Sequence, residues 1–137
     1  MSFVLDCSAT MGWCFADQAD SVSEAALDAL ENGPAWVPTL WSLEVANVLL
    51  LAEKRGKLTV AQRTCFVQRL LALPIQVDPA TPGQALLATL ALGSAHGLSA
   101  YDAAYLELAL RTGLPFATRD ARLAAVCEAL GVARVGL

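Results

Sequence analysis

Four acidic residues, Asp6, Glu44, Asp102 and Asp120, stand where short apolar runs give way to helix-forming segments. In a parallel α/β sheet such junctions share the carboxyl edge, so acids far apart in sequence converge there. Crowded carboxylates repel one another, and their oxygens suit hard divalent cations. Mg²⁺ or Mn²⁺, as one or two ions, fits a sparse acidic pocket of this kind, because magnesium keeps several waters and takes substrate phosphate as a further ligand. The chemistry expected is phosphodiester hydrolysis, in which the metal activates an attacking water and stabilises charge on the phosphoryl and leaving oxygens. Polar neighbours recur at matching offsets. Ser8 lies two residues after Asp6, Thr118 two before Asp120, and Asn47 one helical turn after Glu44. These are expected to support the carboxylates from behind, and Arg119 and Arg122, which bracket Asp120, to hold substrate phosphates.

Each acid also has a purely structural reading. Asp6 and Asp120 are natural N-caps, Glu44 complements the positive end of its helix, and Asp102 completes a capping pair with Ser99. Asn47 reads equally well as a satisfied core amide, and Arg122 as solvated surface charge. Only the joint arrangement favours a shared site. His96, beside Gly97, reads as a helix-end cation. Trp13, Trp36 and Trp41 read as core or interface residues, and Tyr101 and Tyr105 as packing around Asp102.

The elements that must position these residues follow from patterning. Phe3 to Leu5 is a short apolar run, followed by a helical stretch over Ala9 to Ala16. A helix spans Ser21 to Leu30 and stops at Asn32-Gly33-Pro34. Ala35-Trp36-Val37 is the next strand. A helix from about Leu40 to Arg55, started by Thr39 or Ser42 and closed by Gly56, is apolar nearly all round, which predicts a central or interfacial element. A further helix runs from Thr59 to Leu73, and Pro74 to Val77 forms a strand. One helix is expected from Thr81-Pro82 to Gly97 and another from Ser99 to Thr112, before a strand over 114–117 and a last helix from Ala121 to Leu130. Val132 to Val135 is expected as an edge strand. Short apolar runs alternating with helices predict an α/β fold, a small parallel sheet flanked by helices in three layers.

The length of 137 residues, with no repeat or linker, indicates one domain over 1–137. Apolar residues make up 56%, and the mean hydropathy is +0.52. The apolar stretches are interrupted, by Asn47 in one and by Thr89, Gly93, Ser94 and His96 in another, so no membrane span is expected. The apolar excess instead predicts a helix face buried in a homodimer. The N-terminus lacks a basic, apolar leader, which points to a cytoplasmic location. Cys7, Cys14, Cys65 and Cys127 are widely spaced, and the chain has a single His, so neither zinc nor a disulfide framework is expected. They read as reduced structural thiols. Charge is segregated: residues 1–53 carry eight acids and no base, whereas 54–137 carry nine bases against five acids. Any polyanion must therefore be met by a local basic patch, a metal or a second subunit.

Val4-Leu5-Asp6-Cys7-Ser8, Glu44-Val45-Ala46-Asn47, Ser99 to Tyr105 and Ala117-Thr118-Arg119-Asp120 resemble, in order and spacing, the motifs of PIN-domain proteins, specifically VapC-type toxins of bacterial toxin–antitoxin pairs. The resemblance covers essentially the whole chain. It implies a three-layer α/β/α PIN-like fold, usually dimeric, with Mg²⁺- or Mn²⁺-dependent endoribonuclease activity. It also implies inhibition by a cognate VapB-like antitoxin whose C-terminal segment occupies the cleft. Asp6, Glu44, Asp102 and Asp120 match the acidic positions, and Ser8, Asn47 and Thr118 the supporting polar ones. Some relatives carry a further acid soon after the fourth; here Leu123 and Ala124 follow. Two other classes compete: a different metal-dependent phosphoryl hydrolase, against which Asp6-Cys7-Ser8 departs from D-x-D, and a non-catalytic PIN-like interaction module.

Overall fold

The computed structural model describes residues 1–137. The strands β1 (Phe3–Leu5), β2 (Ala35–Val37), β3 (Ile75–Val77) and β4 (Phe116–Ala117) form one sheet in the order β3-β2-β1-β4. All pairings are parallel, with Val4 opposite both Trp36 and Phe116 and Val37 opposite Val77. β1 and β4 are wholly buried, as parallel strands covered on both faces must be. The chain lays β2 and β3 on one side of β1 and then crosses to place β4 on the other. The direction of winding therefore switches between β1 and β4, and a crevice opens at their carboxyl ends.

The helices are α1 (Cys7–Cys14), α2 (Ser21–Ala29), α3 (Trp41–Lys54), α4 (Val60–Leu71), α5 (Thr81–Gln84), α6 (Leu90–His96), α7 (Ala100–Thr112) and α8 (Ala121–Leu130), and they flank the sheet. The α/β fold expected from the sequence is the fold observed. α1 approaches α2 through Gly12, where a Cβ would lie 2.4 Å from Ser23 Cβ. Asp20 caps α2 in a reciprocal box with Ser23, and Trp13 Nε1 donates to the Ser23 carbonyl at 2.7 Å.

The central helix is α7 rather than α3. Ala103 through Ala109 are buried without a break; the alanines let neighbours approach from every side, which a tally of large apolar residues does not register. Glu107 within this run is held by Arg111 at 2.6 Å, and Arg111 also reaches Asp78 at 2.5 Å. α3 buries the stripe Trp41, Val45, Leu49 and Ala52 and exposes Leu43 and Leu50. Neither Thr39 nor Ser42 caps it; Leu40 precedes it with no side-chain cap.

Other expectations shift. The helix expected over 81–97 is broken by a π-helical turn at Ala85–Thr89, a widening that 3.6-residue periodicity does not reveal. Val132 to Val135 is not a strand but a single bridge, Phe116 to Arg134. Tyr101 is exposed rather than packed. All four cysteines are free, and only Cys127 is buried. No helix is long and apolar enough to cross a membrane.

Candidate metal centre

Asp6 leaves β1 at the crevice and caps α1, its Oδ1 accepting from the Ala9 N–H at 2.9 Å. The same oxygen accepts from Ser8 Oγ at 2.7 Å. Across the crevice, Thr118 follows β4 and donates its hydroxyl to Asp6 Oδ2 at 2.5 Å. Thr118 Oγ1 in turn accepts the Asp120 N–H at 3.0 Å, so one hydroxyl joins two acids that lie 114 positions apart in the sequence. Asp6 is only 3% exposed. Burial pushes its carboxyl up to about 6 against the opposing bonds from Thr118, Ala9 and Ser8, and the Asp120 charge pushes the same way.

The remaining acids are linked by charge. Asp102, in the first turn of α7, is raised by burial and then by Asp120, with Arg122 opposing. Glu44, in the first turn of α3, is raised by burial and by Asp102, while the bond from Tyr105 works against the rise. That bond runs from Tyr105 Oη to Glu44 Oε1 at 2.5 Å. Burial, with Glu44 and Asp6 adding their charge, pushes the Cys7 thiol up to about 12, so it stays protonated. Asp6, Glu44 and Asp102 thus each sense another acid of the set, and the four stand at the N-termini of α1, α3, α7 and α8. One placement differs from expectation. Asp102 follows not a strand but the turn after α6, and Ser99 caps the Asp102 N–H at 3.1 Å.

The supporting residues divide. Ser8 holds Asp6, to which its spacing pointed, whereas Thr118, whose spacing pointed to Asp120, donates its hydroxyl to Asp6 and accepts only the backbone N–H of Asp120. Asn47 is exposed and forms no hydrogen bond with any of the four acids, because at this position α3 turns away from the core. The Arg119 guanidinium is engaged by Asp20 at 3.0 Å, by Gln18 at 3.3 Å and by the Ser8 carbonyl at 3.2 Å. It braces α1 against the N-terminus of α2 rather than standing free for phosphate. Arg122 donates to the Gly97 carbonyl at 2.9 Å and faces Asp102.

The family model of the PIN domain matches residues 3–129. The chain belongs to the PIN-domain family. No curated protein matches the sequence. Among solved structures, the crystal structure of PAE2754 from Pyrobaculum aerophilum is similar, with a TM-score of 0.66 and 23% identity over 91% of this chain and 86% of that one. At that identity the likeness concerns the fold alone.

PIN domains are in general metal-dependent nucleases that use divalent ions, and membership of the family supports a nuclease reading at that level. The donor set fits such an ion, since carboxylate and hydroxyl oxygens are hard ligands and no imidazole is among them. The acids are not drawn into a finished cage: no three His, Cys, Asp or Glu side chains are gathered within ligating reach of one point. That looseness suits a cation that retains waters. Two features of the PIN domain escaped the sequence reading. Tyr105 was read as packing, although its position three residues after Asp102 on α7 places it on the same helical face. The grip of Asp20 on Arg119 spans 99 residues and left no local signal.

Proposed function

We propose that this PIN domain is a Mg²⁺- or Mn²⁺-dependent endoribonuclease, the toxin component of a toxin–antitoxin pair, that hydrolyses RNA phosphodiester bonds by in-line attack of water. The observation that carries the reading is the Asp6–Thr118–Asp120 connection, with Asp102 and Glu44 joined to it through charge. In this reading Asp6, Asp102 and Asp120 hold metal, and Glu44 holds metal or orients the attacking water. Bound there, a divalent cation supplies Lewis acidity and the counter-charge that buried carboxylates require. Ser8 and Thr118 fix the Asp6 rotamer. Tyr105 fixes Glu44. Arg122, beside Asp102, offers the nearest cation for a phosphate, and Arg119 acts indirectly, by bracing the segment that carries Asp120.

A homodimer and a VapB-like antitoxin complete the proposal. Exposed Leu43, Leu50, Leu71 and Leu86 supply apolar surface for protein partners. Sedimentation at micromolar concentration tests the dimer, and a neighbouring reading frame for a small DNA-binding protein tests the pairing. The activity is tested on total RNA with Mn²⁺, with and without chelator. Cleavage should be abolished by Asp6→Asn with circular dichroism unchanged. Undiminished Mn²⁺-dependent cleavage by that variant refutes the assignment, and absence of carboxylate-dependent Mn²⁺ binding identifies an inactive interaction module instead.

A further inference from the structure

The basic residues of this chain are distributed in an unusual way. Arg63 is paired with Glu53, Arg111 with Asp78 and Glu107, and Arg119 with Asp20. Of the six with no acidic partner, Lys54, Arg55, Lys57 and Arg69 lie where α3 ends and α4 runs back, while Arg122 and Arg134 lie on and beyond α8. Two adjoining cavities open against this region, of about 420 and 590 Å³, which share Phe15, Asp17 and Lys57 in their walls. Arg55 lines the first, and Phe66 and Arg69 the second. Together they make a channel whose walls carry cations and the aromatic side chains of Phe15 and Phe66.

None of the four acids lines either cavity, and two routes lead from the channel toward them. On α3, Glu44 is followed at helical spacing by Val48, Leu51 and Arg55, and these three line the first cavity. From the other wall, Gln18 lines the same cavity and accepts from Arg119, whose backbone N–H donates to Ser8 Oγ at 2.8 Å, next to Asp6. A strand leaving the carboxylates along the Glu44 stripe therefore arrives among unpaired cations. Phosphates match Lys57, Arg55 and Arg69, and bases match the flat faces of Phe15 and Phe66.

We propose that this channel binds the single-stranded RNA flanking the scissile bond, with Arg55, Lys57 and Arg69 on phosphates. The inference rests on the ribonuclease reading for the identity of the polyanion. Asp17 is the sole acid in the two walls and opposes the ligand.

The test uses the full chain and a labelled single-stranded RNA oligonucleotide in chelator, read by fluorescence anisotropy over a range of salt. Three phosphate contacts give a slope of log affinity against log salt of about −2, and Lys57→Gln with Arg69→Gln should flatten it by about 1.4 and weaken binding ~10-fold at low salt. Asp17→Asn should tighten binding, by on the order of two- to threefold. The cations and Asp17 are exposed, so folding is expected to survive, and circular dichroism checks it. Unchanged affinity and slope in the double variant, while the unmodified protein cleaves RNA, overturns the channel and leaves the nuclease reading standing. RNA bound through these residues with no cleavage in Mn²⁺ supports the channel and overturns the nuclease reading. Poly-glutamate bound as tightly as RNA at equal charge, with the same dependence on Lys57 and Arg69, overturns the proposal in favour of an acidic peptide.

Discussion

Replacing Asp6 by Asn should make the metal-free protein more stable at neutral pH while removing its activity. Asp6 is almost fully buried, and its carboxyl rises from 3.8 to about 6, chiefly because burial disfavours its charged form. A shift of about two pH units corresponds to about 3 kcal/mol at 1.36 kcal/mol per unit. The sign follows from proton counting. Between about pH 4 and 6 the folded chain binds more protons at this site than the unfolded chain, so stability falls as pH rises through that window, and the cost is complete above it. Asn carries no charge to desolvate. Its carbonyl keeps the bonds from Ser8 and Ala9, and its amide can face Thr118 Oγ1, so most of the penalty disappears. The expected outcome is a variant more stable by about 2 kcal/mol near pH 8 in chelator, with the gap closing near pH 4. Urea unfolding across that range measures it. Saturating Mn²⁺ should reverse the order, because a ligand at about 100 times its Kd adds about 2.7 kcal/mol to the form that binds it. A variant less stable near pH 8, or a gap independent of pH, would refute the reasoning.

Three further outcomes are expected. Arg111→Met removes the shared cation of Glu107 and Asp78, whose side chains are 5% and 8% exposed; urea unfolding should show a loss of about 3 kcal/mol, at the low end for broken buried pairs because Arg111 itself is partly solvated. Gly12→Ala drives a methyl group into Ser23 and should lower stability by about 2 kcal/mol, with Ser23→Gly recovering much of the loss if that contact is the cause. Tyr105→Phe keeps the stacking on Phe116 but frees Glu44; thermal unfolding should show a loss of about 1.5 kcal/mol, and RNA cleavage should lose kcat with KM little changed.

The strands were legible in the sequence wherever an apolar run met a helix signal, which is why Phe3 to Leu5, Ala35 to Val37 and the acids that follow them were found together. Helix limits were legible at Gly97, Gly113 and Gly131, each left-handed in the structure, where a residue without Cβ is favoured. What could not be read was spatial. The exposure of Asn47 depends on which stripe of α3 meets the core, and a helix apolar nearly all round leaves that stripe undefined. The employment of Arg119 depends on Asp20 and Gln18, brought to it by the path of the chain after α1. The centrality of α7 arises from small residues, whose value lies in how close they let neighbours come.

The bond between Thr118 and Asp6 closes a loop of nearly the whole polypeptide, because the strand bearing Thr118 is the last to be made and inserts beside the first. During synthesis the leading acids emerge long before the segment that anchors and completes them. A nascent chain consequently lacks the full set of four acids until its final fifth has been released. Premature termination upstream of that segment leaves the first strand without one of its two neighbours, and leaves Asp6 without Thr118 and Asp120 beside it.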